Sequence, residues 1–154
     1  MGRKGPLRVV IKMITSAIPL AFVVVAIVGL AATGNLFSAS PFVVAVQVVA
    51  VALNVWARVS FEKGTFRVSA APVGASMMKR GPYRIVRHPM YLAALLFVWA
   101  GIVSHASPVT LVVGIALTVV AVARVIAEDR LLRAQYRDYD DYTRTTKALV
   151  PYLF

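Results

Sequence analysis

Apolar and polar positions fall in long blocks along this chain. Four runs, residues 13–32, 42–57, 89–104 and 109–127, contain a single charged side chain between them, Arg124. A helix rises 1.5 Å per residue, so about twenty apolar residues cross a hydrocarbon core of about 30 Å. The runs therefore predict four membrane-spanning helices. Pro19 interrupts the first and predicts a kink there. Gln47 and Asn54 are the strongly polar side chains of the second. Such groups hydrogen-bond across helix interfaces, with a substrate contact from Asn54 as the alternative. The third run is short, roughly 24 Å by helix rise, which sets its first residues below the headgroup level. Between the runs lie two uncharged turns, 33–41 and 104–108, and three polar stretches: 1–12, 58–88 and 128–154. In the last, Leu131, Leu132, Tyr136, Tyr139 and Tyr142 recur at roughly helical spacing. They predict an amphipathic helix that continues the fourth span or lies on the membrane, its tyrosines forming an interfacial belt. The expected fold is all-α: one domain over 1–154, an integral membrane bundle of four transmembrane helices with a cytoplasmic C-terminal amphipathic helix.

Charge orients this bundle. All 17 Lys and Arg, Arg124 at the end of the fourth span included, lie in or beside the three polar stretches, and none lies in the two uncharged turns. Lys and Arg are retained on the cytoplasmic side, so both termini and the 58–88 connection are expected there. The six acids fall on that side too, and any polar chemistry belongs to the cytoplasmic face. Arg124 is placed to snorkel towards it.

Composition narrows the chemistry. A chain of 154 residues that is 60% hydrophobic, with a net charge of +11, is too apolar for an ordinary soluble domain. Its basic residues point to anionic lipid headgroups and not to nucleic acid. The absence of cysteine excludes disulfides, thiolate metal sites and a cysteine nucleophile. Two histidines are too few for a His-rich metal centre, and His105 reads as a solvated loop residue. No Ser-His-Asp arrangement and no glycine-rich phosphate loop is present. The first apolar run is too long for a cleaved leader, and Pro6 stands where an N-myristoylation signal requires Ser or Thr.

The densest signal is Gly81-Pro82-Tyr83-Arg84-Ile85-Val86-Arg87-His88-Pro89-Met90-Tyr91. Gly81-Pro82 marks a turn, and Pro89 suits the first turn of a new helix, where its missing N–H has no partner to lose. Arg87 and His88 thus sit at the positive end of a helix, a combination that attracts a carboxylate or phosphate. The plain alternative is a helix start dressed with positive-inside residues. A tight hairpin between the third and fourth spans brings this cluster beside Glu128-Asp129. Cations and carboxylates together make a site the size of a zwitterion. The connection Phe61 to Met78 reads as an interfacial segment or a lid.

Gly-Pro-Tyr-x-x-x-Arg-His-Pro-x-Tyr, followed one hairpin later by Glu128-Asp129-Arg130-Leu131-Leu132, resembles the isoprenylcysteine carboxyl methyltransferase superfamily. Tyr139-x-x-Tyr142 and Pro151 also resemble its C-terminal pattern, and the likeness covers roughly Phe66 to Phe154. Phosphatidylethanolamine N-methyltransferases are similar in the same two regions. The resemblance implies S-adenosylmethionine as cofactor, held by Tyr83, Arg87, His88, Pro89 and Tyr91 with Glu128 as the acidic contact, under the C-terminal segment. It also implies in-line attack of a nucleophile on the sulfonium methyl. A carboxylate acceptor needs no general base; a hydroxyl or ammonium would use His88 or Glu128. Arg133 or Arg144 would steer an anionic acceptor. The implied acceptor is lipid-like or isoprenoid, most simply a carboxylate or hydroxyl, with membrane lipids as surroundings and neither metal nor nucleic acid involved. Phospholipid N-methylation is the alternative reaction, and a non-catalytic lipid- or partner-binding membrane protein the alternative of another class. Three positions depart from the family's usual residues: Ala93 for Gly, Asp129 for a second Glu, and Lys147 for Arg.

Overall fold

The computed structural model describes residues 5–60 and 79–149, and side chains from Pro19 onward within the first helix. The 61–78 connection, Arg3, Lys4 and Pro151 lie outside the described residues. Among those described there are five α-helices, a 3-10 turn and no β-strand: α1 Gly5–Ala32, α2 Pro41–Val59, the turn Gly81–Arg84, α3 Pro89–Ser104, α4 Pro108–Gln135 and α5 Tyr139–Thr145. The all-α expectation holds. Helices α2 and α4 are long and apolar enough to cross a membrane, while α3 and the Pro19–Ala32 part of α1 are shorter apolar helices.

Local chemistry sets the boundaries. Pro41, Pro89 and Pro108 each occupy a first-turn position of their helix. At α4, Ser107 and Thr110 cap each other reciprocally, side chain to backbone. Helix α1 continues through Pro19. It ends where Gly34 takes a φ of +72°. There the Asn35 and Gly34 N–H groups return to the Leu30 and Ala31 carbonyls, 2.8 and 3.1 Å away, which satisfies the last turn.

The following turn folds back onto the bundle. The Gln47 amide donates to the Leu36 carbonyl at 2.8 Å and to the Phe97 carbonyl at 3.3 Å, so its role across the helix interface is as expected. Asn54 instead accepts from Arg58 one turn along its own helix. Gly101 lets the Leu36 backbone lie directly on α3; a Cβ there would collide with the Leu36 carbonyl. Ser104 donates to Ser38 at 2.7 Å, which fixes the two uncharged turns at one end of the molecule.

Helices α2 and α3 share the most extensive contact, and α4 packs against α3 and α1. Gly114 permits the α3–α4 crossing, where Ile102 and Trp99 press on its backbone. Leu30, Leu36, Val98, Ile102 and Leu117 form one core cluster. Val125, Ala148 and Leu149 form a second, towards the charged end, with Tyr91, Leu92, Leu95 and Val122 packed around it. The outward faces are equally apolar. Val44, Val48, Val51, Val55 and Val59 of α2, with Val112, Ile115 and Val119 of α4, are exposed at helical spacing. Such faces suit hydrocarbon rather than water.

Helix α4 does not stop at the apolar boundary. Ala127 to Gln135 is rich in Ala, Leu, Glu and Arg, all good helix formers, and carries the helix two turns into the polar stretch. It breaks at Tyr136, and the seven-residue α5 then turns back. The single long amphipathic helix admitted by the spacing is therefore two helices. Its tyrosines are no surface belt either: Tyr139 and Tyr142 are buried.

Candidate active site

The motif segment is built from a turn, an irregular link and a helix start. Gly81 takes a φ of +56°, a region open mainly to glycine, and packs on Ser60 and Trp56 at the end of α2. Ile85 and Val86 both return N–H bonds to the Pro82 carbonyl. Residues preceding proline avoid helical angles, and His88, ahead of Pro89, sits at φ −125°, ψ 60°. The chain from Val86 to His88 is an irregular link with a bend at Arg87, and the C-terminal segment runs parallel beside it. Val86 and Lys147 form an isolated bridge. Arg87 N–H donates to the Lys147 carbonyl at 2.8 Å, and His88 N–H to the Ala148 carbonyl at 3.0 Å.

Although His88 is the N-cap residue of α3, its imidazole makes no cap. It is buried, 6% exposed, between the two acids of α4. Nε2 lies 2.6 Å from Asp129 Oδ1, and Nδ1 lies 3.5 Å from Glu128 Oε2. Burial acts to lower the imidazole's pKa, but the hydrogen bonds to Asp129 and Glu128 outweigh it and hold the pKa above the usual histidine range. The protonated ring donates from both nitrogens, which suits a carboxylate on each side.

The two acids have separate surroundings. Asp129 also accepts from the Tyr139 hydroxyl and lies 3.4 Å from Arg87 Nη2. Arg87 Nη1 reaches the Thr146 carbonyl at 2.5 Å, so one guanidinium ties α4 to the C-terminal segment. Its Nε is buried without a hydrogen-bond partner. Glu128 faces the other way, where Oε1 accepts from the Tyr91 hydroxyl at 2.6 Å. Arg124 Nε donates to that hydroxyl at 2.9 Å. Arg124 is therefore turned inward, its side chain 14% exposed, and is not extended to the interface.

Tyr83 stands behind this cluster, buried, and its carbonyl accepts from the Tyr142 hydroxyl at 2.5 Å. Burial pushes the Tyr142 hydroxyl up to about 12, so it remains a neutral donor. Arg87, Asp129, Thr143, Thr146 and Lys147, with the apolar wall of Val125, Ile126 and Ala148, line an open cleft of about 300 Å³.

Of the residues expected from sequence, Arg87, His88, Tyr91 and Glu128 converge, Pro89 starts the helix that aims them, and Tyr83 supports them through its carbonyl. Arg133 does not join them. It lies at the surface, half exposed, 2.7 Å from Asp140. Arg144 is more exposed still and pairs with Asp141. His105 is half-buried in the opposite turn, with Nδ1 3.2 Å from the Gly101 carbonyl, away from the charged groups. Arg124 and Tyr139 were missed as members of the cluster. The i, i+4 spacing of Arg124 and Glu128 was the available signal for the first.

This arrangement combines cationic and anionic groups with an apolar wall, as a zwitterionic ligand requires. It is poorly shaped for a metal. The two imidazole nitrogens point apart, so Glu128 and Asp129 lie on opposite sides of the ring and share no coordination point. Among the described residues no group of three His, Asp or Glu side chains converges.

Comparison with known proteins agrees with the motif. A family model described as phospholipid methyltransferase matches residues 63–139, half of the chain. The cobalt-zinc-cadmium resistance protein CzcN of Cupriavidus metallidurans is 32% identical over 79 residues, 51% of this chain and 37% of that protein. The nickel-cobalt-cadmium resistance protein NccN of Alcaligenes xylosoxydans xylosoxydans is 30% identical over 78 residues, 50% of this chain and again 37% of the relative. The matched region thus spans little more than a third of these curated relatives. No solved structure matches the chain.

Proposed function

The chain belongs to the phospholipid methyltransferase family, and from that premise we propose that it is a membrane-embedded, S-adenosylmethionine-dependent methyltransferase acting on a lipid-like acceptor. The observation that carries this reading is His88 held between Glu128 and Asp129 at the end of the motif segment. Two motifs 40 residues apart in sequence meet there in one cluster of opposite charges.

The residue set fits the cofactor's chemistry. Its amino-acid end needs both a cation and a carboxylate, and its ribose needs acceptors and donors. Arg87, with a buried Nε that lacks a partner, and His88 supply the first kind of group, and Glu128 the second. Tyr83, Pro89 and Tyr91 complete the holding set. When bound, S-adenosylmethionine supplies an electrophilic methyl on a sulfonium sulfur. The protein's own contribution is orientation and exclusion of water, which together are worth several kcal/mol or more. Buried Tyr139 and Tyr142 and the paired C-terminal segment close the site on one side. For a hydroxyl or amine acceptor, the Glu128 carboxylate takes the released proton, since His88 already carries one. A carboxylate acceptor needs no base. Arg133, one turn beyond Asp129 and near solvent, engages an anionic acceptor only by exchanging its Asp140 partner for it.

We place four spans in the bilayer, residues 13–32, 42–57, 89–104 and 109–127, as a single domain over 1–154. The Ser38–Ser104 end then faces away from the cytoplasm, while the site and both termini face it. The acceptor is expected to be isoprenoid or otherwise lipidic, carrying a carboxylate or hydroxyl, with phospholipid N-methylation as the alternative that the family description favours. The relatives' names concern metal resistance, but the opposed imidazole nitrogens give no support to a metal site in this cluster.

Transfer of radiolabelled methyl from S-adenosylmethionine into extracted lipid tests the reading. Label in the lipid fraction, lost in Glu128→Ala, is expected. Label released by mild alkali identifies an ester and so a carboxylate acceptor; alkali-stable label identifies a hydroxyl or amine. Incorporation only into water-soluble compounds overturns the lipid assignment.

A further inference from the structure

We infer that Arg124 is a positioning residue of this site, acting through Tyr91 to hold the Glu128 carboxylate in an accepting state with its second oxygen turned into the cluster. The inference rests on the methyltransferase reading for its consequence, though not for its geometry.

A guanidinium has donors only. Since Arg124 Nε lies 2.9 Å from the Tyr91 oxygen, that oxygen is the acceptor in the contact. The hydroxyl's one proton is then directed to Glu128 Oε1, 2.6 Å away. Arg124 Nη2 adds its charge 3.7 Å from the same oxygen. The chain of bonds therefore has one direction, Arg124 to Tyr91 to Glu128, and it ends on a carboxylate oxygen that can only accept. This fixes Oε1 and leaves Oε2 facing His88 Nδ1 at 3.5 Å, longer than a good hydrogen bond and open to a better donor from a ligand.

Position supports a purpose. Arg124 lies in the fourth apolar run, where a charged side chain is costly and marks function by default. It extends along α4 to Tyr91 of α3, so it couples the two helices at the level of the site. Among the described residues, the charged and titratable groups facing Glu128 are His88, Tyr91 and Tyr83 from the motif side and Arg124 from its own helix. Arg124 and His88 are the cations of that set, and His88 is shared with Asp129.

Arg124→Gln is the discriminating variant, because its neutral amide is a weaker donor to the Tyr91 oxygen and can equally accept from it, so the direction of the chain is no longer fixed. Arg124→Lys keeps a donor-only cation. Calorimetric binding of S-adenosylmethionine to the full chain in lipid nanodiscs should weaken about ten-fold in Arg124→Gln, the loss of a charge-linked hydrogen bond, and by no more than about two-fold in Arg124→Lys. The same change should appear in KM for the cofactor, with kcat little altered. In a Tyr91→Phe background the gap between Gln and Lys should shrink to the direct effect of the charge on Glu128. A purely structural role would lower thermal stability without separating Lys from Gln in affinity. Equal affinities of the Gln and Lys variants with Tyr91 intact, or an undiminished gap in the Tyr91→Phe background, overturn the inference. If the wild-type protein binds no cofactor, the functional reading fails instead, and the geometry is still tested without ligand. The Raman doublet of Tyr91, taken as wild type minus Tyr91→Phe, should match between wild type and Arg124→Lys and differ in Arg124→Gln. An unchanged doublet in Arg124→Gln contradicts it.

Discussion

His88 Nε2 lies 2.6 Å from Asp129 Oδ1, and the imidazole is almost wholly buried at that contact. The same aspartate gathers the Tyr139 hydroxyl and Arg87, so it joins the motif segment, α4 and the C-terminal segment at one carboxylate. Glu128, its neighbour, has one oxygen held by Tyr91 and the other facing His88. Two adjacent acids thus divide the work: Asp129 assembles the site, and Glu128 is presented within it.

Removing the Asp129 charge should therefore disturb folding more than a surface substitution would. Asp129→Asn removes the carboxylate charge that Arg87 and His88 share in a partly buried setting and leaves His88 only Glu128, and a loss of about 2 kcal/mol in stability is expected. Thermal unfolding in detergent, compared with Asp141→Asn on the exposed face of α5, measures it. Equal melting temperatures for the two variants would count against the assembling role.

The His88 pair also has a pH signature. Its pKa in the folded protein is raised above the unfolded value of about 6.5, so the folded state binds the proton more tightly. The contribution is fully present below about pH 6.5 and is lost as pH rises through the raised folded value. The melting-temperature gap between wild type and His88→Gln should be widest in mild acid and should narrow in alkali. A gap that grows with pH would show the opposite sign.

Two helical glycines should respond in opposite ways to alanine. Gly29 of α1 has nothing within 4 Å of a built Cβ, so Gly29→Ala should be neutral or stabilise by about 0.5–1 kcal/mol. Gly101 carries the Leu36 backbone, which cannot yield as a flexible side chain would. Gly101→Ala should cost about 1–3 kcal/mol. Paired unfolding curves decide it.

Much of this was legible from the chain. The helix start at Pro89 followed from a proline at the head of an apolar block, whereas Pro41 and Pro108, read as the ends of the uncharged turns, are the first residues of α2 and α4; the Arg87-His88 and Glu128-Asp129 meeting followed from hairpin topology. What was hidden depends on direction. Spacing cannot tell whether Tyr139 and Tyr142 face lipid or core, because a tyrosine suits both; the break at Tyr136 turns them inward. Likewise Arg124 at a span's end reads as snorkelling until Tyr91, 33 residues earlier, is seen to be its partner. The pairing of Val86 with Lys147 had no periodic signal, since it is a single bridge between two irregular segments.

The proposed topology predicts that cysteines introduced at Ser38 and Ser107 are labelled from the same side of sealed vesicles, opposite to one at Arg137. The two uncharged turns meet through Ser38 and Ser104. Labelling of Ser38→Cys from the cytoplasmic side would overturn the four-span arrangement.

The most direct test of the central claim is calorimetric titration of the purified, folded protein with S-adenosylmethionine, beside His88→Ala and Glu128→Ala. The cluster predicts saturable binding by the wild-type protein that is lost or weakened at least about ten-fold in both variants. No binding by the folded wild-type protein in detergent and in lipid, or full binding by both variants, would contradict it.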